Sequence, residues 1–317
     1  MKVLVTGGAG FIGSNFVLRT LNTYPNYSVT VLDSLTYAGS LENLSKATRE
    51  YEFVQGDIRD KQLVMDAVAG HDLVVHFAAE SHNDNSLLDP EPFISTNISG
   101  TANLISAAVT HDIRFHHIST DEVFGDLPLG RPERFTEDSP YRPSSPYSAS
   151  KAASDHLVRA WVRSFGLKAT ITNCSNNFGP NQHSEKLIPN TILKVLRGER
   201  PTVYGAGANV RDWIHVDDHT DGVWAAINRG KLGETYLLGA NNEVDNLSVV
   251  RLILHALGKK PDFIEFVSDR PGHDLRYAID PSKANSKLGW FAKRTNFVEE
   301  LRLLATHYQS CDAIQDS

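Results

Sequence analysis

Three glycines set three apart, Gly7, Gly10 and Gly13, lie between an apolar β-branched run and a helical pattern, and this placement constrains the fold more than anything else in the chain. Val3-Leu-Val-Thr6 reads as a buried strand, Ser14 to Leu21 as a helix, and Val29-Thr-Val-Leu-Asp33 as a second strand. Glycines at such a junction allow a tight turn and a close backbone approach, so a pyrophosphate can sit on the helix N-terminus. Asp33 ends the next strand, where a carboxylate accepts hydrogen bonds from an adenosine ribose and repels a 2′-phosphate. No Arg follows it, so NAD is expected rather than NADP. Asp57 and Ile58, after the strand at Phe53-Val54, are placed for the adenine edge. Phe77-Ala-Ala-Glu-Ser81 closes a fourth strand where small residues let a cofactor approach.

Further strands are expected at Leu73-Val-Val-His-Phe77, Phe115-His-His-Ile-Ser119 and Ala169-Thr-Ile-Thr-Asn173. Their alternation with helical segments implies βαβ units and a Rossmann-type, doubly wound parallel sheet of the α/β class, with ligands along the strands' C-terminal edge. After Asn173 the character shifts to loops, short strands such as Thr202-Val-Tyr204, and helices such as Leu187 to Leu196. The expected division is therefore a cofactor domain over 1–175 and a smaller α/β substrate domain over 176–317. The segment at about 214–240 returns to the first through Thr235-Tyr-Leu-Leu238. Around Tyr147 a helix is punctuated by Ser145 as N-cap, Pro146 at its first position and Gly166 as its stop. Ala153, Leu157, Ala160, Trp161 and Phe165 share one face of it, which suits sheet packing and a subunit interface equally. The polar end, Ser310 to Ser317, is expected to fray.

Apolar residues make up 41% of the 317 and charged residues 22%, ordinary for a soluble globular chain long enough to bury a sizeable core. A net charge of −7 argues against nucleic acid or an anionic membrane as the main partner. No stretch approaches the roughly 18 apolar residues of a membrane span, and the N-terminal apolar run is broken by glycine too early for a secretory signal. Cys174 and Cys311 are the only cysteines, outside any metal-ligand spacing, as suits a reducing compartment. A cytoplasmic location is expected.

Tyr147 and Lys151 are four residues apart and share a helix face. They are the proton-handling half of a hydride-transfer enzyme acting on an alcohol or sugar hydroxyl. A free Tyr has a pKa near 10, so a tyrosinate at neutral pH must be stabilised by about 4 kcal/mol. Lys151 and a positive nicotinamide ring are the opposite charges able to supply much of it. Plain oxidation needs only Thr120 beside them, yet Thr120 is followed by Asp121 and Glu122. Eliminating water from a sugar needs that addition, a base for a C–H proton and an acid for the departing hydroxyl. The residues therefore point to a dehydratase built on a dehydrogenase.

With these residues in place, the chain resembles the dTDP-glucose 4,6-dehydratases of the extended short-chain dehydrogenase/reductase family along nearly its whole length. The likeness is carried by Thr6-Gly-Gly-Ala-Gly-Phe-Ile-Gly-Ser14, Ala78-Ala-Glu-Ser-His82, Ser119-Thr-Asp-Glu-Val123, Tyr147-Ser-Ala-Ser-Lys151 and Asn173-Cys-Ser-Asn-Asn177. It continues through Glu185-Lys-Leu-Ile-Pro189, Val210-Arg-Asp-Trp213 and Asp269-Arg-Pro-Gly-His-Asp274. The resemblance implies that Tyr147 takes the C4 hydroxyl proton while hydride leaves for NAD. Thr120 bonds the C4 oxygen, Glu122 takes the C5 proton and Asp121 protonates the C6 hydroxyl. It implies further cofactor contacts from Phe11, Ile12, Ser34, Leu35, Thr36, Ala78, Ala79, Ser81, Thr96 and Asn177, beside Tyr147 and Lys151. For dTDP-glucose it implies Ser81, Asn176, Lys186, Leu187, Thr202, Tyr204, Arg211, Asn246, Arg270 and His273. A homodimer is implied as well.

The chain departs from that pattern in places. Many relatives have Tyr where this chain has Phe124 and Phe178, and Val-Asp-Arg where it has Asn83-Asp84-Asn85. The segment Gly125 to Ser139 is shorter than in some. Two rival readings are a 4-epimerase, which needs no Asp-Glu pair, and a 4,6-dehydratase acting on a UDP-, CDP- or GDP-sugar. A third is a non-catalytic NAD-binding scaffold, disfavoured because Tyr147 and Lys151 survive with an acid and a base beside them.

Overall fold

The computed structural model describes residues 1–269 and 272–315, the side chains of 311–315 excepted. Its main sheet has seven strands. They are β1 (Lys2–Thr6), β2 (Ser28–Asp33), β3 (Glu52–Gln55), β4 (Leu73–His76), β5 (Arg114–Thr120), β6 (Ala169–Cys174) and a late strand, Thr235–Leu238. The order is late strand, β6, β5, β4, β1, β2, β3, every pair parallel. The order reverses between β1 and β4, which opens a crevice above their C-terminal ends.

Alternation explains why the sheet is covered on both faces. Val3 and Val5 point to one side with Val29, Val31, Leu73 and Val75, against Phe16, Val17, Leu21 and Trp224 of the helices Phe11–Thr23 and Val216–Arg229. Leu4, Leu32, Val74 and Phe115 point to the other, against Val64, Leu104, Ile105 and Val158. Each such side chain, removed from water, contributes about 1.5–3 kcal/mol.

The smaller part is built on short strands. Asn176–Phe178, reached one residue after β6, pairs in parallel with Val210–His215, which pairs antiparallel with Glu243–Asp245. Thr202–Tyr204 pairs with Glu265–Val267. Helices Leu187–Leu196, Asn246–Ala256 and Phe297–Gln315 enclose Phe178, Ile188, Ile192, Trp213, Ile253 and Leu301.

The helix Pro146–Phe165 begins at Ser145, whose Oγ accepts from the Ser148 amide, and stops at Gly166 with φ 70°. Its sheet-facing side is Lys151, Ala152, Ser154, Asp155 and Val158, so the apolar face read from sequence is not the buried one. Leu157 and Trp161 are half-buried, while Ala160 and Phe165 are exposed. Several elements have no counterpart in the sequence analysis, and one of them borders the site. Ile94–Gly100 is a π-helix, a form often found at functional sites. Among the described residues no helix is long and apolar enough to cross a membrane.

Candidate active site

One cleft of about 320 Å³ runs along the C-terminal edge of the main sheet and under the second part of the chain. Gly7, Gly10, Phe11, Ile12 and Gly13 form one end. Gly7 has φ 69°, and a Cβ on it would lie 2.5 Å from the Ala78 nitrogen; one on Gly13 would lie 2.1 Å from the Gly7 oxygen. A Cβ on Gly10 would meet nothing closer than 3.4 Å, so the space it leaves opens to the cleft. Gly10 is also the helix N-cap and offers no side chain to the amides of the first turn, which have no carbonyl partner within the helix. Amides facing an open cradle suit an anionic pyrophosphate.

Asp33 holds the adjoining turn: Oδ2 accepts from the Ala9 amide at 2.9 Å and Oδ1 from the Leu35 amide at 2.8 Å. Leu35, bent into positive φ at 52°, contributes its backbone there and does not line the cleft. Ser34, Thr36, Asp57 and Ile58 do line it, as do Phe77, Ala78, Ala79, Ser81, Thr96 and Asn177. Thr96 arrives on the π-helix. Its neighbour Asn97 exchanges hydrogen bonds with both backbone groups of Glu80 and donates to Ser150 Oγ at 2.8 Å. The donors and the Asp33 carboxylate fit a dinucleotide with an unphosphorylated ribose.

β5 delivers the chemistry. Thr120 ends it, and Asp121–Phe124 turns away as a single 3-10 turn. Thr120 Oγ1 receives the Glu122 amide at 3.3 Å and donates to Asp121 Oδ1 at 3.3 Å. Asp121 is fully buried, and its Oδ2 has no hydrogen-bond partner. Burial above all, then Glu122 and Asp212, push its carboxyl well above the usual range, only partly opposed by Arg211. Glu122 is half-buried and accepts from Asn83 Nδ2 at 2.8 Å.

Tyr147 is buried against Phe93 with Thr120 as a hydrogen-bonding neighbour. Burial raises its pKa well above 10, and Glu122, Cys174 and Asp121 raise it further. Burial, with the neighbouring carboxylates, thus holds the phenol neutral, and ionising it calls for cations. Lys151 Nζ donates to the Ile118 carbonyl at 2.7 Å, and burial lowers its pKa. Behind Lys151 lies Asp155, whose carboxylate meets His117 Nε2 at 3.1 Å, accepts from Tyr141 at 2.7 Å and sits at about pKa 2. Burial pushes His117 to about 4, so the imidazole is neutral at pH 7 and Asp155 remains an anion facing Lys151.

The expected substrate contacts divide. Ser81, Thr120, Asn176 and Lys186 line the cleft, Lys186 donating to the Ser81 carbonyl at 3.1 Å. Leu187, Thr202, Tyr204, Arg211, Asn246 and His273 do not. Thr202 accepts from Lys194, Asn246 opens its helix, and Leu187 packs in the second core. Tyr204 lies edge-on to His273 and donates to Asp84 at 3.4 Å. Arg211 is buried over the Tyr277 ring at 4.2 Å and donates to the Val210 and Asp274 carbonyls. Arg270 lies outside the described residues.

Several lining residues escaped the sequence reading: Arg59, which chelates Asp57, Gly39 against the Asp33 carboxylate, and Gln182, His183 and Glu185. Arg59 had a signal, two residues after an expected adenine contact. Glu185 opens the Glu185-Lys-Leu-Ile-Pro189 run, while Gly39, Gln182 and His183 lie in loops without a signal. Phe124 and Phe178 are buried among rings, where a hydroxyl has no part in the packing.

Residues 4–302 match the family model described as GDP-mannose 4,6 dehydratase. The dTDP-glucose 4,6-dehydratase of Mycolicibacterium smegmatis is 59% identical over 94% of this chain and 90% of that protein. Its counterpart in Mycobacterium tuberculosis is 57% identical over 98% and 93%. A dTDP-glucose 4,6-dehydratase of Streptomyces venezuelae, crystallised with NAD, superposes with a TM-score of 0.93 at 45% identity, covering 98% of this chain and 97% of that one. The glycine cradle, the Thr120-Asp121-Glu122 turn and the Tyr147–Lys151 helix are thus those of a shared architecture, and the chain belongs to the nucleotide-sugar 4,6-dehydratase family.

Proposed function

We propose that this chain is an NAD-dependent dTDP-glucose 4,6-dehydratase, a hydro-lyase that forms the 4-keto-6-deoxy sugar. The observation that carries the reading is the buried acid Asp121 next to the cleft-facing carboxylate Glu122, both at the end of the strand beside Tyr147. Adjacent carboxyls serve opposite tasks only when their environments differ. Asp121 is buried with one oxygen unpartnered; Glu122 reaches the cleft and is hydrogen-bonded.

Bound NAD supplies the hydride acceptor for C4 and the donor for C6. With the positive charges of Lys151 and the nicotinamide beside it, the Tyr147 phenol gives up its proton to solvent, and the phenolate then receives the C4 hydroxyl proton while Thr120 donates to the C4 oxygen. The C4 ketone acidifies the C5 proton, which Glu122 takes, and C5 is reprotonated as the 6-deoxy sugar forms. Asp121, held protonated by burial, gives its proton to the C6 hydroxyl, and that oxygen leaves as water. Asn176 and Lys186 face the nucleotide from the second part, with Leu187, Thr202, Tyr204, Arg211, Asn246 and His273 beyond them; Arg270 is a further candidate by resemblance. Residues 1–175, with the returning segment at about 214–240, hold the cofactor, and the rest of 176–317 the sugar nucleotide. The relatives' dTDP specificity favours thymidine over other bases. The exposed apolar face of helix Pro146–Phe165 suits a homodimer, and the two widely separated cysteines suit the cytoplasm.

Incubating the purified protein with dTDP-, UDP-, CDP- and GDP-glucose tests the reading. A 4-keto-6-deoxy product from the dTDP-sugar, without net NAD consumption, is expected. Stoichiometric NADH, or a C4 epimer, would sink it.

A further inference from the structure

One oxygen of Glu122 is already engaged. Asn83 Nδ2 donates to Glu122 Oε2 at 2.8 Å, while Asn83 Oδ1 accepts from Ser145 Oγ at 2.8 Å. Ser145 is the N-cap of the helix that carries Tyr147 and Lys151, its Oγ receiving the Ser148 amide at 3.1 Å. A single side-chain amide therefore ties the carboxylate after β5 to the start of that helix. Its orientation follows from chemistry: an ionised carboxylate only accepts, so the NH2 group faces Glu122 and the carbonyl faces the hydroxyl.

We propose that Asn83 is a positioning residue for the base, holding Glu122 Oε2 so that Oε1 alone is presented to the C5 proton of the sugar. This inference rests on the dehydratase reading above. A Glu side chain has several freely rotating bonds, and proton abstraction needs the oxygen within about 2.6–3.2 Å of its target. An amide that restrains one oxygen removes most of that freedom before substrate binds. The donated hydrogen bond is one that an ionised carboxylate accepts. Other groups facing Glu122 are Asp121 on its own turn and the phenols of Tyr147 and Tyr277.

The test uses the NAD-loaded enzyme with Asn83→Val and Asn83→Asp. Single-turnover NADH absorbance reads C4 oxidation, and deuterium uptake at C5 reads the base. Asn83→Val should lose about 10- to 100-fold in C5 exchange, the scale of a misplaced catalytic group, with C4 oxidation nearly unchanged. The acid limb of its elimination rate should move to higher pH. Asn83→Asp sets a second carboxylate against Glu122 and should move that limb further. Retained NAD shows that a variant is folded, and Asn83→Ser replaces any that is not. C5 exchange at the wild-type rate with an unmoved limb overturns the proposal, as does an equal loss in both steps with an unmoved limb. A wild type that makes no 4-keto-6-deoxy sugar sinks the dehydratase reading and this one together; a competent wild type with an indifferent Asn83→Val sinks this one alone.

Discussion

Asp121 illustrates how one residue's environment couples catalysis to stability. A carboxyl whose folded pKa is raised contributes stability while protonated, below the unfolded value near 4. That contribution is lost as pH rises through the folded value. Asp121→Asn, which carries no charge, should therefore flatten the stability decline across that window. Its melting temperature at pH 7 should rise by about 2–4 °C for each kcal/mol recovered. Dehydration should fall about 100- to 10,000-fold in the same variant. A 6-fluoro substrate needs no proton on its leaving group, so it should restore much of the Asp121→Asn rate and none of the Glu122→Gln rate. Equal rescue of both would reverse or merge the roles. Adjacent carboxylates were legible in sequence; the raised pKa of Asp121 was not, because it depends first on burial and then on Asp212 and Arg211, which approach from a strand some ninety residues away.

Among elements, the glycine turn makes opposite predictions for neighbouring positions. Gly13→Ala drives a Cβ into the Gly7 carbonyl and should lower stability by about 1–3 kcal/mol, seen as an earlier urea midpoint. Gly10→Ala should fold normally, because its Cβ points into open space, yet weaken NAD binding at least about tenfold by titration, ~1.4 kcal/mol. Equal destabilisation by both would show that the turn is filled by packing alone. The turn, the Ser145 cap and the Gly166 stop are local devices, each written in a few residues, and so were readable. Ile94–Gly100 was not, since Ile-Ser-Thr-Asn-Ile-Ser-Gly has no clear period and its π form goes with Asn97 reaching Glu80 and Ser150. The strands Asn176–Phe178 and Glu243–Asp245 are three residues long, too short for alternation to show.

For the whole molecule, the exposed apolar side of helix Pro146–Phe165 is where assembly is expected. Light scattering should give about twice 35.0 kDa, and Phe165→Arg, at a side chain 58% exposed, should shift the population toward 35.0 kDa. Unchanged mass would place the interface elsewhere. Within one protomer, labelled hydride from C4 should reappear at C6 of the same sugar, with no crossover between mixed substrates. The cleft's far wall also has a mechanical meaning. Asn15 Nδ2 donates to the Pro180 carbonyl at 2.9 Å, Asn181 Nδ2 donates to the Asn43 carbonyl at 3.1 Å, and Lys186 reaches Ser81. This segment straps the two halves of the chain across the dinucleotide's seat. A molecule seated there acts as a rivet between the halves, and extracting it should loosen the strap. Protease nicking near residues 180–186 should then report cofactor loss, and refilling at a hundred times the dissociation constant should return about 2.7 kcal/mol.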